Sequence, residues 1–140
     1  MFLGLLAGCA VHLGVLPIAG SWSVGEVSAL VAEPDADAWV REATVTALVA
    51  RGALDPSAPA VDVVVTEAAW MPARRAGDVL LYDARLTLRF TAGDRVATRT
   101  RTWSAVDPGN AADARVLRED TLRMLAREAA DDAIGWLLAP

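Results

Sequence analysis

Residues 79–90 read VLLYDARLTLRF, and the alternation in this stretch decides what the rest of the chain can be. Tyr82, Ala84, Leu86, Leu88 and Phe90 interleave with Asp83, Arg85, Thr87 and Arg89. A period of two, with one apolar and one polar face, belongs to a strand that covers a core on one side and meets water on the other. Thr91-Ala92-Gly93-Asp94 then supplies a turn, and Arg95 to Val106 returns as an antiparallel partner. The return strand also alternates, with Thr98, Thr100 and Thr102 against Arg99, Arg101 and Trp103, so a slip of one residue would exchange its faces. A three-residue loop, Ala92 to Asp94, pairs Phe90 with Val96 and Leu88 with Thr98, which sets Arg85, Arg89, Arg99 and Arg101 on one outer face. A two-residue loop would bring arginines against Leu86 and Leu88, and the cost of desolvating guanidinium groups selects the three-residue register.

Working outward, Val61 to Trp70 is β-branched and of strand length, and Pro72 is expected to end it. Val24 to Ala32 forms an earlier strand that closes before Pro34. Between the two, Asp35 and Asp37 can cap a helix in which Trp39, Ala43, Ala47 and Ala50 recur at helical spacing up to Gly52. Asp55 to Pro59, with two prolines, is a loop. Beyond Pro108 and Gly109 a long helix is expected from near Asp113, with Leu122, Leu125, Ala129, Ala133 and Trp136 on one side and Glu119, Arg123 and Arg127 away from it. The order β-α-β-β-β-α predicts an α+β domain, a four-stranded antiparallel or mixed sheet with both helices packed on one face. Trp39, Leu88, Phe90, Leu125 and Trp136 are the core expected between the two layers.

Composition agrees with one folded domain. The hydrophobic share of 54% is spread along the chain, which argues against disorder, and the length suits a single core. A net charge of −5 disfavours a general nucleic-acid binder. All 13 basic residues are arginines. A GC-rich genome accounts for that bias, and so does selection for the bidentate geometry that Arg offers to phosphates and carboxylates.

The chain start, MFLGLLAGCAVHLG, holds its one cysteine, Cys9. A lone thiol cannot form an internal disulfide framework, and Cys9 with His12 is too small a ligand set for a metal. Burial as a small hydrophobe and covalent attachment remain. The attachment reading follows from residue order: Met1 to Leu6 is apolar apart from Gly4, and small Ala7 and Gly8 precede the thiol. Leu6-Ala7-Gly8-Cys9 resembles the lipobox of bacterial lipoproteins, which implies cleavage before Cys9 and its acylation. Residues 1–8 are then a lipoprotein signal peptide, 9–23 a tether rich in Gly, Pro and Ser, and 24–140 the single folded domain. The apolar run is short and no Lys or Arg precedes it, which a start codon placed downstream of the true one would explain. Two or three acyl chains at about 0.8 kcal/mol per buried methylene hold a protein firmly to a membrane without spanning it. Ala10, standing where Asp would favour inner-membrane retention, points to the outer membrane.

Gly8-Cys9-Ala10-Val11-His12-Leu13, together with the β-α-β-β-β-α order, resembles the LptE-type lipopolysaccharide-assembly lipoproteins. Val11 stands where that family commonly has an aromatic residue. The resemblance implies an outer-membrane lipoprotein that faces the periplasm or plugs an LptD-like β-barrel and helps lipopolysaccharide reach the outer leaflet. It also implies two lipopolysaccharide contacts. Arg75, in Arg75-Ala76-Gly77 before the third strand, and Arg115, at the start of the last helix, match basic positions of the family by local context; Arg74 stands beside the first. A guanidinium fork suits the phosphates of lipid A, although ordinary loop and helix-start arginines would look the same.

Catalysis is not expected. The one His, His12, falls in the tether, Asp131 and Asp132 point in different directions on a helix, and no phosphate loop, nucleophile motif or metal-ligand spacing occurs. No cofactor is implied. The alternative role is an auxiliary periplasmic lipoprotein of an ABC-type lipid transporter or another envelope complex. If Cys9 is the acylation site, Cys9→Ser leaves a soluble or uncleaved protein that no longer incorporates labelled palmitate; normal labelling of that variant ends the lipoprotein reading.

Overall fold

The computed structural model describes residues 20–139. The elements are β1 (Ser23–Ala29), α1 (Ala36–Ala50), β2 (Ala60–Ala76), β3 (Val79–Ala92), β4 (Arg95–Val106) and α2 (Ala111–Leu138). The strands lie in the order β1-β2-β3-β4, with β1 parallel to β2 and the other pairs antiparallel, so the expected α+β order is present as a mixed sheet. A parallel pair needs a crossover, and α1 provides it. Both helices cover the same sheet face. The signal-peptide segment, Cys9, His12 and most of the tether expected over 9–23 lie outside the described residues. Within that span, Trp22 bridges to Leu54 and Ser23 already belongs to β1.

The apolar face of β3 is the centre of the core. Ala84, Leu86, Leu88, Phe90 and Ala92 are buried, flanked by Val61, Val63 and Val65 of β2. Above them α2 lays down Leu122, Leu125, Ala126, Ala129, Ala130, Ala133, Ile134 and Leu137, and α1 adds Trp39, Val40, Ala43, Ala47 and Leu48. The small alanines let the helices approach each other and the sheet closely, as dense interior packing requires. Helix α1 ends in a Schellman motif: Gly52 sits at φ +62°, its N–H reaches Val49 O at 3.0 Å, and Ala53 N–H reaches Leu48 O at 2.9 Å. Asn110 caps α2 by accepting from Asp113 N–H at 2.8 Å, so the helix begins two residues before the expected Asp113. Asp35 occupies the N-cap of α1 with φ 60° and its side chain makes no capping bond, contrary to expectation.

The decisive correction is the register of β4. Gly93 has φ +61° and only Gly93 and Asp94 form the loop, a two-residue turn with Gly at its first central position. Phe90 therefore opposes Ala97 and Leu88 opposes Arg99, not Val96 and Thr98. Arg99 and Arg101 thus sit on the helix side, separated from the outer Arg85 and Arg89. Desolvation does not forbid this, because β4 is an edge strand and the side chains run out over the edge. Arg99 Nε and Arg101 Nη2 meet Asp132 Oδ2 of α2 at 2.7 and 2.8 Å. Their Nη1 atoms also donate to Thr98 O and Thr100 O at 3.0 Å. Since Ala92 and Arg95 close the turn as a bonded pair, those carbonyls point to the free side of β4, and the arginines cap an edge that would otherwise invite another strand.

Three smaller corrections follow from the same geometry. Trp136 is 38% exposed and outside the core. The buried face of α2 shifts towards Ile134 and Leu137 at its end, leaving the indole over β4, with Arg95 stacked on it at 4.1 Å and Arg99 at 5.7 Å. Arg95 also donates to the terminal carbonyls of Leu137 and Trp136 at 2.9 and 3.2 Å, a cationic cap from another element. Strand β1 stops at Ala29, short of Ala32. Strand β2 runs through Pro72 to Ala76, because β2 has a free side there and a bulge at Ala73, two places where proline is tolerated in a sheet.

Across the helices, Arg51 joins Asp131 at 2.7 Å and holds its carboxyl below the ordinary aspartate value of 3.8. A lowered folded pKa means that this contribution is present above that value and lost as the pH falls through the lower folded one. Asp131 and Asp132 therefore serve different partners, as their helical directions imply. Among the described residues no helix is long and apolar enough to cross a membrane.

Phe90→Ala removes the largest fully buried side chain of the core and is expected to cost about 3–5 kcal/mol in denaturant unfolding; a smaller effect would mean that the inner face of β3 is misassigned. The double variant Arg99→Thr, Arg101→Thr uncovers the β4 carbonyls and is expected to self-associate in sedimentation velocity where the parent does not. A variant that sediments like the parent would show that the arginines do not guard the edge.

Candidate functional site: an arginine and aromatic end of the sheet

Strand β1 last pairs at Ala29 with Val65, so β2, β3 and β4 continue without it as a three-stranded arm. The arm ends at the Gly77-Asp78 turn, and β4 stops at Val106 opposite Leu81. Asp107 N–H then bonds Leu80 O at 2.8 Å, which starts α2 beside the arm and sends it back over the sheet.

Where α2 leaves the arm, Trp70, Tyr82, Ala111, Ala114, Arg115 and Arg118 line an open hollow of about 460 Å³. Its floor is a stacked aromatic pair, with the Trp70 and Tyr82 centroids 5.1 Å apart and the rings 14° from parallel. Its helix wall is low, because Ala111 and Ala114 carry only methyl groups. The Ala73 bulge makes the stack possible. Nearer the turn Arg74 opposes Leu81, and past the bulge Pro72 opposes Tyr82 and Trp70 opposes Ala84. Without the extra residue Trp70 would oppose Arg85 and lie on the other face.

The two arginines of the wall differ. Arg118 Nη2 meets Glu33 Oε1 at 3.3 Å, which ties α2 to the segment before α1, while its buried Nε has no partner among the described residues. Arg115 has neither an ion pair nor a hydrogen bond among the described residues. Arg74 and Arg75, opposite Leu81 and Leu80, are exposed and equally without partners among the described residues. The register puts Arg75 on the face of Tyr82 and α2, and Arg74 on the opposite face.

The other arginines show how unusual this is. Arg51, Arg85, Arg99, Arg101, Arg118 and Arg123 are held by carboxylates, and Arg41 and Arg95 by backbone carbonyls. Only Arg89 and Arg127, away from this end, join Arg74, Arg75 and Arg115 in lacking a partner among the described residues. Asp113, the nearest acid on α2, is engaged by Asn110 Nδ2 at 2.6 Å.

A second hollow, of about 470 Å³, lies on the uncovered sheet face against Met71, Asp83, Arg85, Thr102 and Ser104. Its charged groups are already engaged, Arg85 with Glu67 at 3.1 Å and Asp83 with Ser104 at 2.6 Å. The arm hollow, lined by a stacked aromatic pair and by a guanidinium without a partner among the described residues, is the better candidate for an anionic ligand.

Of the arginines expected from sequence, Arg115 lines the hollow, while Arg74 and Arg75 lie further out on the arm, on opposite faces; Cys9 lies outside the described residues. Trp70, Tyr82, Arg118 and Glu33 were not singled out from sequence. The pairing of Trp70 with Tyr82 depends on a one-residue bulge that Pro72 hints at and does not specify.

No protein-family model matches the chain, and no curated protein matches it. Solved structures do. A minor lipoprotein from Acinetobacter baumannii is similar at 20% identity and a TM-score of 0.56, over 87% of this chain and 93% of that one. A protein described as a lipoprotein from Caulobacter crescentus has 13% identity and a TM-score of 0.55, over 86% and 88% of the two chains. A DUF330 protein from Xanthomonas campestris has 14% identity and a TM-score of 0.50, over 87% and 88%. At these identities the likeness is one of fold, and this chain shares the fold of these three bacterial proteins, two of which are described as lipoproteins.

Proposed function

We propose that the protein is a non-enzymatic, lipid-anchored component of the bacterial outer membrane that supports lipopolysaccharide assembly as plug or partner of an LptD-like β-barrel. The observation that carries the reading is that Arg74, Arg75 and Arg115, on the arm and the start of α2 of a net acidic protein, have no partner among the described residues. Guanidinium forks left without carboxylates suit phosphate groups.

The polarity of the molecule supports it. The chain reaches β1 at Ser23, opposite Ala60, which is the end of the sheet away from the arm. The ten residues from Ala60 to Trp70 span about 33 Å at the rise of a β-strand. The arginines therefore lie towards the end of the sheet opposite to the one at which the chain enters β1. The sheet face without helices carries Asp83, Arg85, Thr87, Arg89, Thr98, Thr100, Thr102 and Ser104, a polar surface that suits the polar lumen of a barrel.

The alternative is an auxiliary lipoprotein of an ABC-type lipid transporter, and the arm favours it in one respect. Beyond Val65, β2 has no strand paired to it on the β1 side among the described residues, and its backbone groups there could take a strand from another envelope protein.

The double variant Arg75→Glu, Arg115→Glu tests the lipid reading. Each charge-assisted contact contributes on the order of 1.5–3 kcal/mol, so the variant is expected to lose measurable binding to purified lipopolysaccharide while keeping the parent's thermal unfolding and capture of the barrel. Undiminished lipopolysaccharide binding with loss of the barrel would assign these residues to a protein interface instead.

A further inference from the structure

We infer that the hollow between the arm and α2 is a headgroup site for a phosphorylated sugar, with the pyranose ring on the Trp70–Tyr82 stack and the phosphate on Arg115. The inference rests on the lipid-binding reading above and goes beyond it by naming the ligand class and the residues that tell a sugar phosphate from a bare anion.

Each half of the site has a separate physical basis. A pyranose presents a face of C–H groups that packs flat on an aromatic ring, and the Trp70–Tyr82 pair, an offset stack with planes 14° from parallel, offers it the ring face that the partner ring leaves uncovered. The cross-strand stack fixes both rings, so binding does not have to order them. The Tyr82 hydroxyl makes no hydrogen bond among the described residues and is available to a sugar hydroxyl. At the wall, Arg118 is neutralised by Glu33, which leaves Arg115 as the cation of the hollow. The volume of about 460 Å³ falls within the roughly 300–1,000 Å³ of small-molecule sites. The alanines of α2 keep it open, since a larger side chain at Ala111 or Ala114 would stand over the ring floor.

The arrangement makes distinct demands on its ligand. Inorganic phosphate can use Arg115 and gains nothing from the stack. A neutral sugar can use the stack and gains nothing from Arg115. Glucosamine 1-phosphate engages both, and it carries the chemistry shared by a lipid headgroup and a soluble sugar phosphate.

The test is titration of the full chain with glucosamine 1-phosphate, inorganic phosphate, adenosine monophosphate and glucosamine, followed by nuclear magnetic resonance at the Trp70 indole N–H. The parent is expected to bind glucosamine 1-phosphate at least tenfold more tightly than inorganic phosphate or glucosamine, with the Trp70 signal shifting. Trp70→Leu keeps apolar bulk without a flat ring and is expected to remove that tenfold preference while leaving phosphate binding unchanged. Arg115→Gln is expected to weaken both anions. Titration of lipopolysaccharide micelles against phospholipid vesicles distinguishes a lipid-borne headgroup from a soluble one.

A parent that binds glucosamine 1-phosphate no better than phosphate, or a Trp70 signal that does not move, overturns the inference. So does tighter binding of adenosine monophosphate, which would make the stack a base platform. Lipopolysaccharide binding that depends on Arg75 and Arg115 and ignores Trp70→Leu would overturn this inference and leave the proposed function standing. Loss of lipopolysaccharide binding from the parent with glucosamine 1-phosphate binding intact would do the reverse.

Discussion

Two arginines can lie on the covered face of this sheet only because β4 is its edge. Arg99 and Arg101 are long enough to leave the apolar layer over the side of the strand, and Asp132 of α2 meets both there. Much of the structure follows from that clasp. It fixes α2 along β4, which brings the Leu122 to Leu137 face down on β3, and it closes the free carbonyls of Thr98 and Thr100. The ion pairs themselves are half in water and contribute modestly, on the order of 1 kcal/mol or less each. Their larger effect is on register: a slip of one residue in β4 would carry both guanidinium groups to the far face and leave Asp132 without either partner.

The other half of the molecule is shaped by a residue out of step. In β2 the extra residues at Thr66 and Ala73 each advance the strand against β3 by one position. The first bulge lies where β1 gives out and the arm begins. The second turns Trp70 to the face of Tyr82 and α2. An arm without a β1 neighbour has no fourth strand to keep it flat, so bulges and a proline are tolerated there that a central strand would exclude. The same loosening creates the hollow.

The result is a molecule with two different ends. Near the start of β1 the arginines are engaged: Arg51 with Asp131, and Arg95 with the last carbonyls of α2 and the Trp136 ring. At the arm end Arg74, Arg75 and Arg115 are not engaged by any described residue. In a chain whose only basic residues are arginines, charge count cannot separate structural from functional groups, but partnership can. Most guanidinium groups here hold the fold together, and of the five without a partner among the described residues Arg115 lies against the half-buried Trp70–Tyr82 pair.

The sequence by itself determined the element order, the α+β class and the core of β3, because period-two burial and helical spacing are local properties of the chain. It also marked Arg74, Arg75 and Arg115, and a chain start that resembles a lipobox. The Gly-Asp pair that closes both hairpins also carries the register of β4, which desolvation of Arg99 and Arg101 would oppose in a central strand and does not oppose at an edge. Only the tertiary structure decided that Trp136 lies over arginines outside the core, that β2 passes through Pro72, and that Trp70 meets Tyr82. The physical reason is common to all three. Each depends on what lies beside a strand or beyond the end of a helix, and neighbours that are remote in sequence leave no periodic trace in the residues they surround.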